Sequence, residues 1–400
     1  MKQLRFSFEK QRAETLDLPR FDISPARGFL PAEDPKTDLP PALAAVAEFG
    51  RALPHLLSEE MLRKRFRALI ESELPLVNLA DAAVEDRETA RAVYRTYAFL
   101  ASAYVHAIGE PEVARLPQNL AVPLWFSAWR LGKRPILSYD GYALWNWRRK
   151  EPLGSIEFEN LENVQNFVTL PDEPGFILPH VEIEAEAAPA IIAIGTAQQA
   201  VFDEDPLALE AALLGIANAQ EEMLDTLEAL PEHCSPEVFF RDFRPYIMSF
   251  GDERRKTGII FEGVKALGEE PVFLNGETGA QSSIMPSLVA ALGVKHAQTG
   301  MTDYLAAMEN YMPVGHREFI RATRRGPSIR EFVRRIGVPA VTDTYNECLE
   351  EMNAFRRQHL SFAIEYIHKR MPNPIGTGGT PFMKWLSLLA EETIQHRLPL

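Results

Sequence analysis

From Thr342 to Met371 no proline or glycine interrupts the chain, and Tyr345, Leu349, Met352, Phe355, His359, Ala363 and Tyr366 recur at steps of three and four. Only a helix places all of them on one face. Thr342 and Asp343 supply N-cap chemistry at its start. His359 stands within the apolar stripe, where its ring nitrogens must be satisfied by a buried donor partner or by a metal. A histidine so placed reads, on its own, as a hydrogen-bonded core residue.

Helical periodicity extends well beyond this run. Residues 11–40 carry Pro19, Pro25, Pro31, Pro35 and Pro40 among charges and are expected to form an extended arm. From about Pro41 to Ile108 helical patterns dominate, and they return from Leu207 almost to the end. Residues 115–170 mix prolines, aromatics and short apolar runs, with room for a strand or two. The segment from His180 to Ala187 alternates like a strand, yet Pro179 can open a helix with His180, Glu184, Ala187 and Ile191 on one face. Its alanine content favours the helix, with Pro189 kinking or ending it.

The 400 residues suffice for one large domain or two ordinary ones, and 46% hydrophobic with 24% charged residues is an ordinary globular balance. A net charge of −14 argues against nucleic acid or an anionic membrane as the main partner. Met1–Lys10 lacks the apolar core of a secretory signal, and no apolar stretch is long enough to span a bilayer. Cys234 and Cys348 are the sole cysteines, so a disulfide framework is implausible. A reduced, soluble, cytoplasmic protein is expected. Oligomeric state leaves no signal.

The chemistry-bearing segments follow in a fixed order. They are Phe239-Phe-Arg-Asp-Phe-Arg-Pro-Tyr246, Asn275-Gly-Glu-Thr-Gly-Ala-Gln-Ser-Ser283, Tyr311-Met-Pro-Val-Gly-His-Arg-Glu-Phe319, His359 and Gly376-Thr-Gly-Gly-Thr380. Arg115–Leu124 and Tyr139–Trp147 precede them. Aromatic faces can stack on a flat ring, and Arg244 offers a fork to a carboxylate. Glycines at 376–379 permit close approach to a ligand, but the lysine of a phosphate loop is absent. Alone, Phe239 and Phe240 read as core, Arg244 as a surface arginine, and the glycine loop as a turn. His316 reads as part of a proline-rich turn, and His55, His106, His233, His296, His368 and His396 as surface or capping residues.

Taken together, these motifs resemble the indoleamine 2,3-dioxygenase family of haem enzymes over roughly residues 110–390. The resemblance implies a mainly α fold: a smaller N-terminal capping domain (1–163) and an all-helical haem-binding domain (164–400). It implies haem b with its iron on His359, and Arg356 and Thr278 at the cofactor. An indole would contact Tyr139, Tyr142, Ala143, Phe176, Phe239 and Gly279. His180, Arg244 and Thr377 would serve catalysis, His180 at the indole N–H or the oxygen, the other two at the amino-acid group. The implied reaction inserts both atoms of O2 across the indole C2=C3 bond of L-tryptophan to give N-formylkynurenine. His180 stands where the best-known mammalian form has serine, and Tyr142 where it has a smaller residue. That leaves open a monooxygenase of a substituted indole. An oxygen-binding protein of the same fold is the other alternative, and Arg244 with the glycine loop argues against it.

Overall fold

A computed structural model describes residues 12–80, 82, 84–251, 257–371 and 382–399, with backbone alone for 382–384. Where apolar residues recur every three to four positions, the chain is helical. The first half supplies α1 (Ala44–Ser58), α2 (Glu60–Glu73), α3 (Arg87–Val105) and α4 (Gln118–Arg130). The expected strands are short: β1 (Arg115–Leu116), β2 (Trp147–Arg149) and β3 (Leu161–Asn163). β2 pairs antiparallel with β3, and β1 pairs in parallel with β4 (Ile260–Phe261). The remaining helices are α5 (Asp172–Glu186), α6 (Ala188–Phe202), α7 (Pro206–His233), the single turn α8 (Pro236–Val238), α9 (Ile284–Leu292), α10 (Gly300–Met308), α11 (Val314–Arg325), α12 (Ile329–Ile336), α13 (Pro339–Tyr366) and α14 (Phe382–Ile394).

Local chemistry sets the ends of the long helices. Asp205 caps α7, accepting from the Leu207 and Ala208 N–H groups, with Pro206 in the first turn. α13 begins earlier than its sequence suggests. Thr342 and Asp343 lie inside it, and Val338 is the N-cap before Pro339. Proline fits there because its φ is already helical and the first-turn N–H it lacks would have no helical partner. Gly337, at φ +58°, ends α12 in the left-handed conformation that turns the chain into α13. The helical reading of residues 180–187 holds, with a different boundary. Pro179 sits inside α5, which opens at Asp172, and Pro189 falls in the first turn of α6.

Two apolar cores result. One gathers α3, α4, the 136–181 region and residues 234–274; the other gathers α6, α7, α9 and α11–α13. Phe362 of α13 packs against both. The proline-rich N-terminal segment is non-α-helical, as its composition requires, but it is no free arm. Its 3-10 turns (Glu14–Leu16 and Leu18–Phe21) bring Phe21 against Phe319 at 5.6 Å, and Thr15 Oγ1 donates to Gln198 Oε1 at 2.8 Å. Both cysteines are buried and free. Among the described residues, no helix is long and apolar enough to cross a membrane.

Candidate active site

The stripe on α13 changes role along its length. Tyr345, Leu349 and Met352 are sealed in the second core, whereas Phe355, His359 and Phe362 border a cavity of about 790 Å³. Residues of both cores line this space: Phe176, Phe239 and Tyr366 from the first, Ile183, Met223 and Leu227 from the second. The cavity therefore lies where the two packing units meet. Neither ring nitrogen of His359 has a hydrogen-bond partner among the described residues. Its ring opens to the cavity, yet burial first and the nearby His180 second hold its pKa down to about 4. At neutral pH it is an uncharged imidazole with nitrogen lone-pair character available.

His180 projects from α5 into the same space. Its Nδ1 lies 2.7 Å from the Phe176 carbonyl oxygen. A carbonyl only accepts, so Nδ1 carries the proton, and Nε2 of the neutral ring is the acceptor. Burial lowers its pKa, which keeps that neutral form at pH 7. Phe176 packs 4.8 Å from His180, and Tyr139 stands edge-on at 6.2 Å. Phe239 lies 4.8 Å from Phe176 and 5.6 Å from Tyr366, completing an aromatic wall.

A hydrogen-bonded frame backs this wall. The Tyr139 N–H donates to Gln281 Oε1 at 2.9 Å, and Ser282 Oγ donates to Glu184 Oε1 at 2.8 Å. Burial pushes Glu184 up to about 7. Thr278 caps the 3-10 turn Gly279–Gln281 and borders the cavity with Gly279, where a Cβ would meet no atom of the described residues within 4 Å. Tyr139 arrives one residue before the π-helical turn Asp140–Leu144, and Phe239 opens a second such turn, Phe239–Phe243. The wider π turn is a recurrent device at functional sites.

Polar groups of another kind meet at α13 and α14. Arg356 and His296 both border the cavity. His296 Nδ1 donates to Glu392 Oε2 at 2.7 Å, leaving Nε2 3.3 Å from Arg356 Nη1. Arg356 also donates to the Leu389 carbonyl at 2.8 Å and to Thr393 Oγ1. Burial lowers the arginine to about 10, so it stays cationic at neutral pH.

The structure thus brings Tyr139, Phe176, His180, Phe239, Thr278, Gly279, Arg356 and His359 to one cavity. Tyr142 and Ala143 do not line it. Both are buried in the first core, and Tyr142 Oη donates to Glu173 Oε1 at 3.3 Å. Arg244 is also buried, not at the surface, with its guanidinium 5.3 Å from the Phe240 ring and outside the cavity lining. Thr377 and the Gly376–Thr380 loop lie outside the described residues. His316, read from sequence as part of a turn, is buried in α11, 3.3 Å from Ser283 Oγ. Glu277 and His296 are titratable cavity residues that the sequence did not point to. Glu277 sits in a loop that was informative for its glycines, where a carboxylate reads as solvated. His296 follows an exposed lysine, and only α14 folding over it reveals its partner.

This donor set suits a haem. It offers one neutral imidazole without a protein partner among the described residues, an apolar space within the roughly 300–1,000 Å³ usual for organic ligands, and a guanidinium at another part of the lining for carboxylates. Comparison with known proteins agrees. The family model described as indoleamine 2,3-dioxygenase matches residues 17–374. The chain is 31% identical to indoleamine 2,3-dioxygenase 1 of Rattus norvegicus, covering 94% of this chain and 98% of that protein. It is 28% identical to indoleamine 2,3-dioxygenase 2 of Homo sapiens (96% and 97% covered) and 28% identical to the indoleamine 2,3-dioxygenase of Saccharomyces cerevisiae (94% and 93%).

Proposed function

The chain belongs to the indoleamine 2,3-dioxygenase family and is a haem-dependent dioxygenase of indoles; from that premise we propose that its substrate is L-tryptophan, opened at C2=C3 to N-formylkynurenine in the cytoplasmic kynurenine route. The observation that carries the reading is the pair of neutral imidazoles, His359 and His180, bordering one aromatic-walled cavity. His359 would hold the haem iron, and Arg356 with Thr278 would meet the haem carboxylates. When bound, the haem supplies the activation of O2. The division at residue 163 into a capping and a haem domain belongs to the same proposal.

The protein's own part is orientation. Phe176, Phe239 and Tyr139 give an indole flat and edge contacts. His180 Nε2 is an acceptor, so its role falls on the indole N–H, which it would turn toward the wall. Gly279 leaves room at the rim. Arg244 would rotate off Phe240 to take the amino-acid carboxylate, with Thr377 as its companion. Tyr142, one layer behind Tyr139, would set the width of the indole end through that neighbour.

Aerobic incubation of the ferrous haem protein with L-tryptophan and a panel of indoles, with products identified by mass, tests the reading. L-Tryptophan should gain two oxygen atoms. A gain of one atom, or turnover confined to other indoles, would replace it. For Arg244→Ala, binding of L-tryptophan should weaken about tenfold or more while indole itself is little affected. Equal losses for the two ligands would remove Arg244 from the site.

A further inference from the structure

Glu392, Thr393 and His396 follow at helical spacing at the end of α14, and each is tied to chain from elsewhere. Glu392 Oε2 accepts from His296 Nδ1 at 2.7 Å, and its Oε1 accepts from the Ala297 N–H at 3.1 Å. His396 Nε2 accepts from the Lys295 N–H at 2.9 Å, so residues 295–297 are stapled to α14. The His296 and Glu392 side chains are only 9% and 12% exposed. Arginine only donates, so the His296 Nε2 that lies 3.3 Å from Arg356 Nη1 is a lone pair. A carboxylate, a neutral imidazole and a guanidinium thus stand in a chain that ends at the cavity lining. The contacts of Arg356 with His296, the Leu389 carbonyl and Thr393 all fall on Nη1. One corner of the guanidinium is pinned, and its Nη2 and Nε take no partner among the described residues.

We propose that His296, oriented by Glu392, is a positioning residue for Arg356: it fixes the guanidinium for a haem carboxylate and so ties haem retention to the docking of α14. The proposal rests on the reading of Arg356 as a haem-carboxylate group. A free arginine loses much side-chain freedom when it takes a ligand. Here that loss falls on folding, and binding is spared it. An imidazole suits the task because it accepts on one side and donates on the other. It anchors the guanidinium with a neutral acceptor. A carboxylate set directly on Arg356 would compete with the incoming carboxylate for the same cation. With Glu392 one ring away, the orienting charge is present without that competition.

The test measures the rate at which haem-loaded protein gives up haem to an excess of an apo-globin, with thermal midpoints recorded alongside. Wild type is compared with His296→Leu, with His296→Gln, which keeps an acceptor for Arg356, and with Arg356→Leu. Each is also loaded with haem dimethyl ester, whose carboxylates are blocked. Arg356→Leu should release haem about tenfold or more faster than wild type. His296→Leu should release it about fivefold faster, the cost of ordering one long side chain on binding. His296→Gln should recover much of the difference, and the ester should leave all four proteins at similar rates. If His296→Leu holds haem as wild type does while Arg356→Leu does not, the positioning role is overturned and the Arg356 reading stands. If His296→Leu speeds release of haem and ester alike, its effect is on packing only, and the proposal is equally overturned. If Arg356→Leu releases haem at the wild-type rate, the carboxylate reading of Arg356 and this proposal fall together.

Discussion

At the scale of single residues, the cavity depends on imidazoles kept neutral for different ends. His359 has a pKa lowered to about 4 against an ordinary 6.5. Protons therefore compete for its lone pair only in strong acid, and haem should remain bound from pH 8 down to about 5. Soret spectra across that range check this; loss near pH 6.5 would mean that the ring is not desolvated as described. His359→Ala should lose most of its haem, since it removes the cavity-facing imidazole of α13 to which the iron is assigned. Haem stoichiometry measures it, and wild-type content with an unchanged ferrous spectrum would remove His359 as ligand. His180 is a positioning group. His180→Ser should keep its haem and bind L-tryptophan several-fold more weakly, about 1 kcal/mol for one hydrogen bond. 1-Methyl-tryptophan has no N–H to donate, so its affinity should be the same in both proteins. An equal loss for both ligands would place His180's contact elsewhere.

At the scale of elements, α5 is placed by what it lacks. It runs over the C-terminal end of α7, and a Cβ at Gly175 would strike the His233 carbonyl oxygen. Backbone cannot yield as a side-chain tip does, so Gly175→Ala must shift the helix that carries Phe176 and His180. Overpacking of this kind costs about 1–3 kcal/mol. Denaturant unfolding should show that loss, and affinity for tryptophan should fall together with it. Unchanged values for both would mean that α5 has slack that the packing does not reveal. α13 shows the converse, a helix whose stripe was legible. Its register followed from spacing alone, but its start at Pro339 did not, because Thr342 and Asp343 resemble a cap and are not used as one.

At the scale of the whole molecule, buried carboxyls make folding sensitive to pH. Glu173 is fully buried; its Oε2 accepts from the Phe167 and Val168 N–H groups, and burial still raises it from 4.5 to about 8. The folded protein thus retains a proton that the unfolded chain releases above about pH 4.5. This group's contribution to stability is greatest below that pH and declines as pH rises toward 8. Each unit of difference is worth about 1.4 kcal/mol. His359 acts in the opposite sense: its contribution is present above 6.5 and lost as pH falls toward 4. Glu173→Gln should therefore flatten the fall in stability between pH 5 and 8. Denaturant midpoints at several pH values check it, and parallel curves for variant and wild type would show that Glu173 does not hold a proton in the fold.

Sequence alone determined the helical class, the stripe with His359 in it, and the ordered motifs behind the family expectation. These are properties of neighbours along the chain: side chains at a helical period, prolines that exclude helix from the N-terminal segment, and glycines beside aromatics. Tertiary structure decided what depends on partners distant in sequence. The stripe became core at Tyr345 and cavity wall at His359 because α7 covers one half and the two cores part at the other. Glu277 and His296 became cavity groups because chain from elsewhere, residues 247–249 and α14, took them out of water. The proton on His180 was assigned by a carbonyl one turn back, once the helix was formed. Periodicity records which face is apolar; it does not record what that face will meet.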